Sequence, residues 1–209
     1  MWIVFLLITS VRMVAFHKET YAQFYERENM AEQLQVSQSK LESRIYSLLD
    51  YIQLKQDTID SVFNEREVKH MKDVRSLYRE AIQVQYACLI ILLIGQFYFY
   101  KKVKYYQSYL ARGMLQASFC FLIGFFMLAF WAYTDFGDFW YRIHTLFFTN
   151  DLWILDPATD FMILLCPEEL FLSLTVRGTL CFFTLFILAN GISGWFLMKK
   201  SVIGFDKFD

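Results

Sequence analysis

Two of the three histidines in this 209-residue chain stand among carboxylates, in stretches that adjoin long apolar runs. His70 lies in a charged stretch with neighbours at helical spacing, namely Arg66, Glu67 and Asp73. His144 is followed by a polar stretch that contains Asn150, Asp151, Asp156 and Asp160. Imidazoles beside carboxylates suit acid–base chemistry or the binding of a metal ion, and the spacing leaves both open.

No serine or cysteine stands in a recognisable nucleophile motif. Ser61 and Cys166 are the nearest candidates, and nothing in their surroundings supports activation. The four cysteines show neither a CxxC pair nor metal-ligand spacing, which is typical of small buried hydrophobic residues. A reaction that needs no enzyme nucleophile fits this sequence better.

The composition indicates an integral membrane protein. The chain is 56% hydrophobic and 20% aromatic, whereas soluble domains are about 45–50% apolar. The excess is concentrated in runs that alternate with charged segments. A net charge of −1 leaves no basic surplus for phosphates, so nucleic acid is excluded as a partner.

The apolar runs predict four transmembrane helices: span 1 in residues 1–16, span 2 with its following loop in residues 86–112, span 3 in residues 113–134, and span 4 with the tail in residues 172–209. Span 1 is short against the about 20 residues of an ordinary span. It lacks a basic n-region and a cleavage site, so we expect a retained anchor.

Basic residues cluster after span 2 and in the tail, at Lys101, Lys102, Lys104, Lys199 and Lys200. The positive-inside rule places both clusters in the cytoplasm. The segments 17–85 and 135–171 would then lie together on the extracytoplasmic face, and this brings His70 and His144 to one membrane surface. We expect their rings within roughly 10 Å of each other, close enough to serve one substrate.

Arg12 interrupts span 1, and two interpretations of it stay open. Its side chain reaches the headgroup region as a long cationic residue near a helix end commonly does. Alternatively it lies beside the site and binds a carbonyl or phosphate of a lipid substrate.

The outer segment 17–85 is predicted to be mainly helical. Apolar residues at helical spacing predict one amphipathic helix from Met30 to Tyr51, followed by a loop over residues 53–63. Asn64 is a plausible N-cap, with Glu65 and Glu67 at the positive end of the next helix. Nothing breaks that helix before the apolar run, so it should continue into span 2.

The outer segment 135–171 carries two predicted helix starts. Asp156 followed by Pro157 is typical of an N-cap and a first helical position, which predicts a short interfacial helix over Pro157–Leu165. Cys166 followed by Pro167 precedes the helix of span 4. Asp156 can serve only as a cap, or it can cap and also orient a histidine.

The run HTLFFTNDLWILDPATDFMILLCPEELF, with NEREVKHMKDV upstream, resembles the lipoprotein intramolecular transacylase family (Lit). The pattern of that family is close to H-x-L-F-F-x-N-D-x-W-x-L-D-P-x-T-D before the last span and R-E-x-x-H-M-x-D-V before the second. The resemblance implies an all-α membrane protein. Four transmembrane helices would carry a mainly helical extracytoplasmic segment between spans 1 and 2, with a re-entrant or interfacial helix between spans 3 and 4.

The resemblance also implies a reaction. The sn-2 acyl chain of a diacylglyceryl-modified cysteine would move to the α-amine of that cysteine, with no cofactor and no covalent acyl-enzyme. An α-ammonium has a pKa of about 7.7–8.0, and a histidine near about 6.5 can take its proton. The implied partners are diacylglyceryl-modified lipoproteins and membrane lipids, and the enzyme is expected to be a monomer in the cell membrane.

Residue roles follow from the same resemblance. His70 is the expected general base, oriented by Glu67 or Asp73, and His144 is the second catalytic histidine with Asp156 as its partner. The supporting polar residues are Arg66, Asn150, Asp151 and Asp160. Asn150 or the backbone N–H groups of Ala158 and Thr159 would serve the oxyanion. The residues expected to contact substrate are Arg12, Phe147, Phe148 and Trp153.

Two other functions remain open at this point. A metal-dependent membrane hydrolase would use His70 and His144 with nearby carboxylates, and chelators would inactivate it. A non-enzymatic membrane sensor or assembly factor would bind a partner through the Met30–Tyr51 helix, and both histidines would tolerate substitution.

Overall fold

The computed structural model describes residues 1–205, with the side chains of residues 1–195 and 197. The secondary structure in this range is helical: α1 Trp2–Ala15, α2 Lys18–Arg27, α3 Met30–Gln33, α4 Gln38–Ile52, α5 Glu65–Lys102, α6 Tyr106–Thr134, α7 Phe136–Phe147, α8 Phe161–Leu165 and α9 Glu168–Phe205. The side chains of Lys199 and Lys200, and residues 206–209 of the predicted tail, lie outside the described part.

The long helix α5 begins where the sequence predicts. The Asn64 side chain accepts the N–H of Glu67, and the Glu67 carboxylate accepts the N–H of Asn64, which together form a capping box. With 38 residues the helix is about 57 Å long. Its charged first half therefore extends out of the bundle, and its apolar half, from Tyr86, is long enough to enter a membrane.

Three helices are long and apolar enough to cross a membrane, namely α5, α6 and α9 in its described portion to Trp195. The protein is therefore a multi-pass membrane protein. The predicted span 1 is the shorter apolar helix α1, which has 14 residues and packs against α9 and α5. Polar side chains join helices inside the bundle: Ser118 bonds to Asn190 at 2.6 Å, and Gln85 donates to Thr9 at 2.8 Å.

Helices α2, α3 and α4 form a cap over one end of the bundle. Its core includes the fully buried side chains of Tyr25, Leu41 and Ile45. The Tyr25 hydroxyl donates to the Leu165 carbonyl at 2.9 Å, which ties the cap to α8. The cap is thus one packed unit with the segment that precedes α9.

Two predicted helices differ from the structure. The single helix from Met30 to Tyr51 is wrong, because Gln35 takes a left-handed conformation and Ser37 starts a new helix by accepting the N–H of Lys40. The helix predicted over Pro157–Leu165 begins only at Phe161, after a turn at residues 157–159. Helices α2 and α7 have no counterpart among the predicted elements.

Candidate active site

A cavity of about 390 Å³ lies where the cap, the N-terminal part of α5, α7 and the start of α9 meet. Most of its lining is aliphatic or aromatic. The lining side chains with a polar or ionisable group are Tyr21, His70, Trp140, His144, Trp153, Cys166 and Glu168. Such a lining accommodates lipid chains beside a few polar groups that fix orientation.

His70 and His144 face this cavity together. Their ring centroids lie 6.3 Å apart, and the ring of Phe148 contacts both, at 5.1 Å from His70 and 5.7 Å from His144. The expectation that the two imidazoles share one pocket is confirmed. Phe147, Phe148 and Trp153, which were predicted to contact substrate, also line the cavity.

His144 has a defined protonation pattern. Its Nδ1 lies 2.8 Å from the Trp140 carbonyl, and a carbonyl can only accept, so Nδ1 carries the hydrogen. In the neutral ring Nε2 then holds a lone pair and no hydrogen. Burial lowers the pKa of His144, and the bond to the Trp140 carbonyl opposes that shift. Neutral His144 therefore offers the cavity a proton acceptor and no N–H.

His70 is more deeply buried and less constrained. Only 6% of the residue is exposed, and its Nδ1 is buried with no hydrogen-bond partner in the described part of the chain. Burial first, and the neighbouring His144 second, lower the pKa of His70 to about 4, although Asp73 opposes them. His70 lies in the charged N-terminal part of α5, and it is neutral at pH 7.

Glu67 does not orient His70, contrary to one of the two expectations. One carboxylate oxygen accepts the N–H of Asn64 at 2.6 Å, and the other accepts the N–H of Met162 at 2.5 Å. The residue is completely buried and joins the start of α5 to the start of α8. Asp73 is the carboxylate whose charge acts on His70.

The polar residues after α7 fasten a loop beside the cavity. Asn150 donates to Asp73 at 2.9 Å, and Arg66 donates to the Asp151 carbonyl at 2.7 Å. Asp160 is buried, and it accepts the N–H of Asp156 at 2.7 Å and the amide of Asn64 at 2.6 Å. These bonds hold the pKa of Asp160 below its ordinary value, with the Asp156 N–H as the main cause.

The predicted Asp156–His144 pair is not formed. Asp156 is exposed, and its carboxylate accepts the N–H of Ala158 at 2.9 Å. The N–H of Thr159 is bonded to the Asp156 carbonyl at 3.0 Å. Both backbone donors that were expected to serve an oxyanion are thus occupied by the turn.

Arg12 lies outside the lining of the cavity, contrary to its expected contact with substrate. Its guanidinium donates to Gln85 at the interface of α1 and α5 and lies over the ring of Tyr78. Gln85 is buried in that interface. Arg12 therefore joins two helices of the bundle.

Several lining residues were not among the assigned site residues of the sequence interpretation. Trp140 supplies the carbonyl that holds His144, and its ring stacks on Phe171 at 4.5 Å. Glu168 is the one carboxylate of the lining, exposed and without a hydrogen bond or ion pair in the described part. Tyr21 comes from the unpredicted α2. The spacing of Trp140, Ile143 and Phe147 is an amphipathic-helix signal that could have located α7.

Metal-ligand groups do not come together in this region. Across the described residues, no three side chains of His, Cys, Asp and Glu are placed to hold a metal ion. Three of the carboxylates that were predicted to support the histidines are Glu67, Asp156 and Asp160. They are bonded to backbone N–H groups instead.

The fold and the site define a multi-pass helical membrane protein with two histidines in an apolar cavity beneath a cap. Residues 1–171 match the model of the lipoprotein intramolecular transacylase family Lit. The chain belongs to that family, and it is accordingly an acyltransferase that acts in lipoprotein modification.

Solved structures of Lit from Bacillus cereus, described as a membrane integral lipoprotein intramolecular transacylase, share the fold. One matches with a TM-score of 0.80 at 21% identity, over 95% of this chain and 92% of that one. Two variants, with a histidine replaced by arginine or by alanine, match with a TM-score of 0.78 at 22% identity. They cover 96% of this chain and 89% and 90% of their own. No curated protein matches the chain significantly.

Proposed function

We propose that the protein moves the sn-2 acyl chain of a diacylglyceryl-modified cysteine to the α-amine of the same cysteine, leaving a lyso-form lipoprotein. The observation that carries this proposal is the pair of imidazoles, 6.3 Å apart, in an apolar cavity. The substrate has polar reacting groups attached to lipid chains, and the cavity offers proton acceptors to the former and apolar walls to the latter. Because ester and amine belong to one molecule, holding them together supplies much of the rate.

His70 is the proposed general base, and His144 is proposed to deliver the proton to the leaving glycerol oxygen. The amine nitrogen bonds to the ester carbonyl carbon while the carbonyl electron pair moves to oxygen. Nε2 of His70 takes the nitrogen's proton, with Asp73 stabilising the imidazolium. The proton passes through the Nε2 lone pair of His144, directly or across one water, to the glycerol oxygen as the ester C–O bond breaks.

The pKa of about 4 for His70 favours one order of events. An α-ammonium with a pKa of about 7.7–8.0 is too weak an acid for such a base. The amine therefore attacks in its neutral form, and His70 removes the proton after the nitrogen has bonded to carbon and become strongly acidic. This differs from direct deprotonation of the ammonium, which an ordinary histidine would permit.

Glu168 is the proposed entry point for the cationic N-terminus. It lines the cavity and is also exposed, so it lies at the opening. Its carboxylate lies against α7 at Gly137, where an added Cβ would be 3.5 Å from Oε1. It attracts the ammonium to the opening, and the acyl chains lie along Phe147, Phe148 and Phe171 further in.

The proposed reaction forms no acyl-enzyme. Cys166 is the one thiol in the lining, and burial raises its pKa to about 12, which leaves it protonated and unreactive. Ser61 lies outside the lining. Intact-protein mass spectra during turnover should show no added acyl mass, and a trapped adduct that chases into product would replace this mechanism with a ping-pong one.

We propose that the cap and cavity lie on the extracytoplasmic face of the cell membrane, with α1 as a fourth span and the enzyme a monomer in contact with membrane lipids. The basic loop at Lys101, Lys102 and Lys104 supports this orientation. Single cysteines at Ser43 and Thr149 should react with an impermeant maleimide in intact cells, and one at Ser108 should not. Labelling at Ser108 would reverse the orientation.

The decisive experiment is mass spectrometry of lipoprotein N-termini from cells with and without the protein. The N-acyl lyso form should appear only with it, and purified enzyme should keep its activity in the presence of chelators. Loss of activity with chelators would favour the metal hydrolase, and unchanged lipoproteins would favour a non-enzymatic role.

A further inference from the structure

One residue of the cavity lining carries a buried hydrogen-bond donor that the acid–base proposal does not use. Nε1 of Trp153 is buried and has no hydrogen-bond partner among the described residues. The indole lies 4.9 Å from the His144 ring, tilted by 30°, and the ring of Tyr141 packs edge-on against it at 5.1 Å. Leaving a buried N–H unpaired costs about 1–3 kcal/mol, so such a group needs an explanation, and a catalytic role is one of those that apply.

Several other donors near the histidines are already occupied. The Asn150 amide donates to Asp73, and the N–H groups of Ala158 and Thr159 are bonded within the Asp156 turn. The Tyr21 hydroxyl donates to the Ala15 carbonyl at 2.6 Å. Nδ1 of His144 donates to Trp140, so neutral His144 has no N–H for the cavity. Of the two indole N–H groups in the lining, only that of Trp153 is buried without a partner, whereas that of Trp140 is not buried and can bond to water.

We propose that the indole N–H of Trp153 donates the hydrogen bond that stabilises the oxyanion of the tetrahedral intermediate. The inference rests on the proposed transacylation and adds a donor to it. The negative charge appears on the former carbonyl oxygen when the amine bonds to carbon, and it disappears when the ester C–O bond breaks. The indole keeps its proton throughout. A donor packed against two other rings in a buried site needs little reorganisation as the charge develops, which is when such a bond is most effective.

Trp153→Phe removes the N–H and keeps an aromatic ring. Because the oxyanion exists only in the intermediate and in the transition states around it, kcat should fall by roughly 10²-fold while KM changes little. Trp2→Phe is the matched control: Trp2 also has a buried Nε1 without a partner, but it stacks on Phe186 in the bundle, away from the cavity. This control should retain wild-type kcat and KM.

A second variant separates the hydrogen bond from packing. Replacing Trp153 by its benzothienyl analogue keeps the shape of the indole and substitutes sulfur for the N–H. The same loss of kcat is expected. Wild-type kcat with the analogue would overturn the inference and leave Trp153 as a packing residue. So would a loss in Trp153→Phe that appears only in KM. If the wild-type enzyme makes no N-acyl product, the proposed function fails instead, so the two failures are distinguishable.

Discussion

The polar groups behind the cavity wall and those inside the cavity differ in how they are satisfied. Behind the wall, Glu67 and Asp160 are buried carboxylates that accept hydrogen bonds on both oxygens. Inside, Nδ1 of His70 and Nε1 of Trp153 are buried without partners among the described residues. Buried polar groups are normally paired, so the two regions have different roles.

The difference supports the proposal that the carboxylates hold the structure and the rings act in the reaction. Glu67 joins α5 to the segment before α9 across 95 positions of the chain. Asp160, through Asn64, holds the same junction. This fixed frame keeps His70, His144 and Trp153 facing one cavity without forming bonds that would compete with substrate. The variants that follow alter either the hydrogen-bonded carboxylates or the rings that face the cavity.

The largest effect is expected from the histidines. His70→Ala and His144→Ala should each lower turnover by about 10³-fold, within the range for acid–base groups. Because the two histidines would pass one proton between them, the turnover of the double variant should lie within about tenfold of that of the less active single variant. Product formation measured by mass spectrometry checks this, with the exposed His17→Ala as control. Additive losses would mean that the histidines act independently.

Glu67→Gln tests the frame. The amide keeps one acceptor and places an NH₂ group against a backbone N–H, so it loses at least one charge-assisted bond at a completely buried site. The free energy of unfolding should fall by about 2–4 kcal/mol, seen as a lower thermal midpoint in detergent. Glu65→Gln, two positions earlier, removes an exposed ion pair with Lys69 and should change the midpoint little. Equal midpoints for both variants would contradict the division.

Acid should destabilise the protein through His70. Its folded pKa of about 4 lies below the ordinary value of 6.5, so unfolding takes up a proton between those values. The stabilisation is complete above about pH 6.5 and is lost as the pH falls towards 4, by up to about 3 kcal/mol. The thermal midpoint of wild type should fall from pH 7.5 to 5, and less steeply in His70→Gln. If the midpoints of wild type and His70→Gln change with pH in parallel, His70 lies in a solvated position and not in a buried one.

Asp156→Asn should have the smallest effect. The asparagine oxygen can still accept the N–H of Ala158, and no imidazole depends on the lost charge. We expect turnover within about threefold of wild type, since the aspartate lies outside the proton path. A loss of tenfold or more with normal expression would restore a catalytic role for Asp156 and require a rearrangement that brings it to His144.

Much of the architecture could be predicted because it depends on local interactions. The apolar runs correspond to α1, α5, α6 and α9, the Asn64 cap starts α5 where expected, and the loop over residues 53–63 is present. The break at Gln35 could not be found, because hydrophobic spacing continues through it while the backbone turns. Asp156 was placed at the wrong element, because the Asp-Pro pattern fits a turn as well as a helix start.

The sequence by itself determined the membrane class, the family, the two histidines and their approach to one another, since these follow from apolar length, motif and the order of the spans. Only the tertiary structure decided what each polar group does. Glu67 is bound to Met162, Asn150 to Asp73 and His144 to its own helix, while Nε1 of Trp153 is left unpaired. These outcomes depend on distances between segments far apart in the chain. Local propensity and residue spacing do not determine such distances. Burial and hydrogen-bond partners are set only when the cap packs on the bundle.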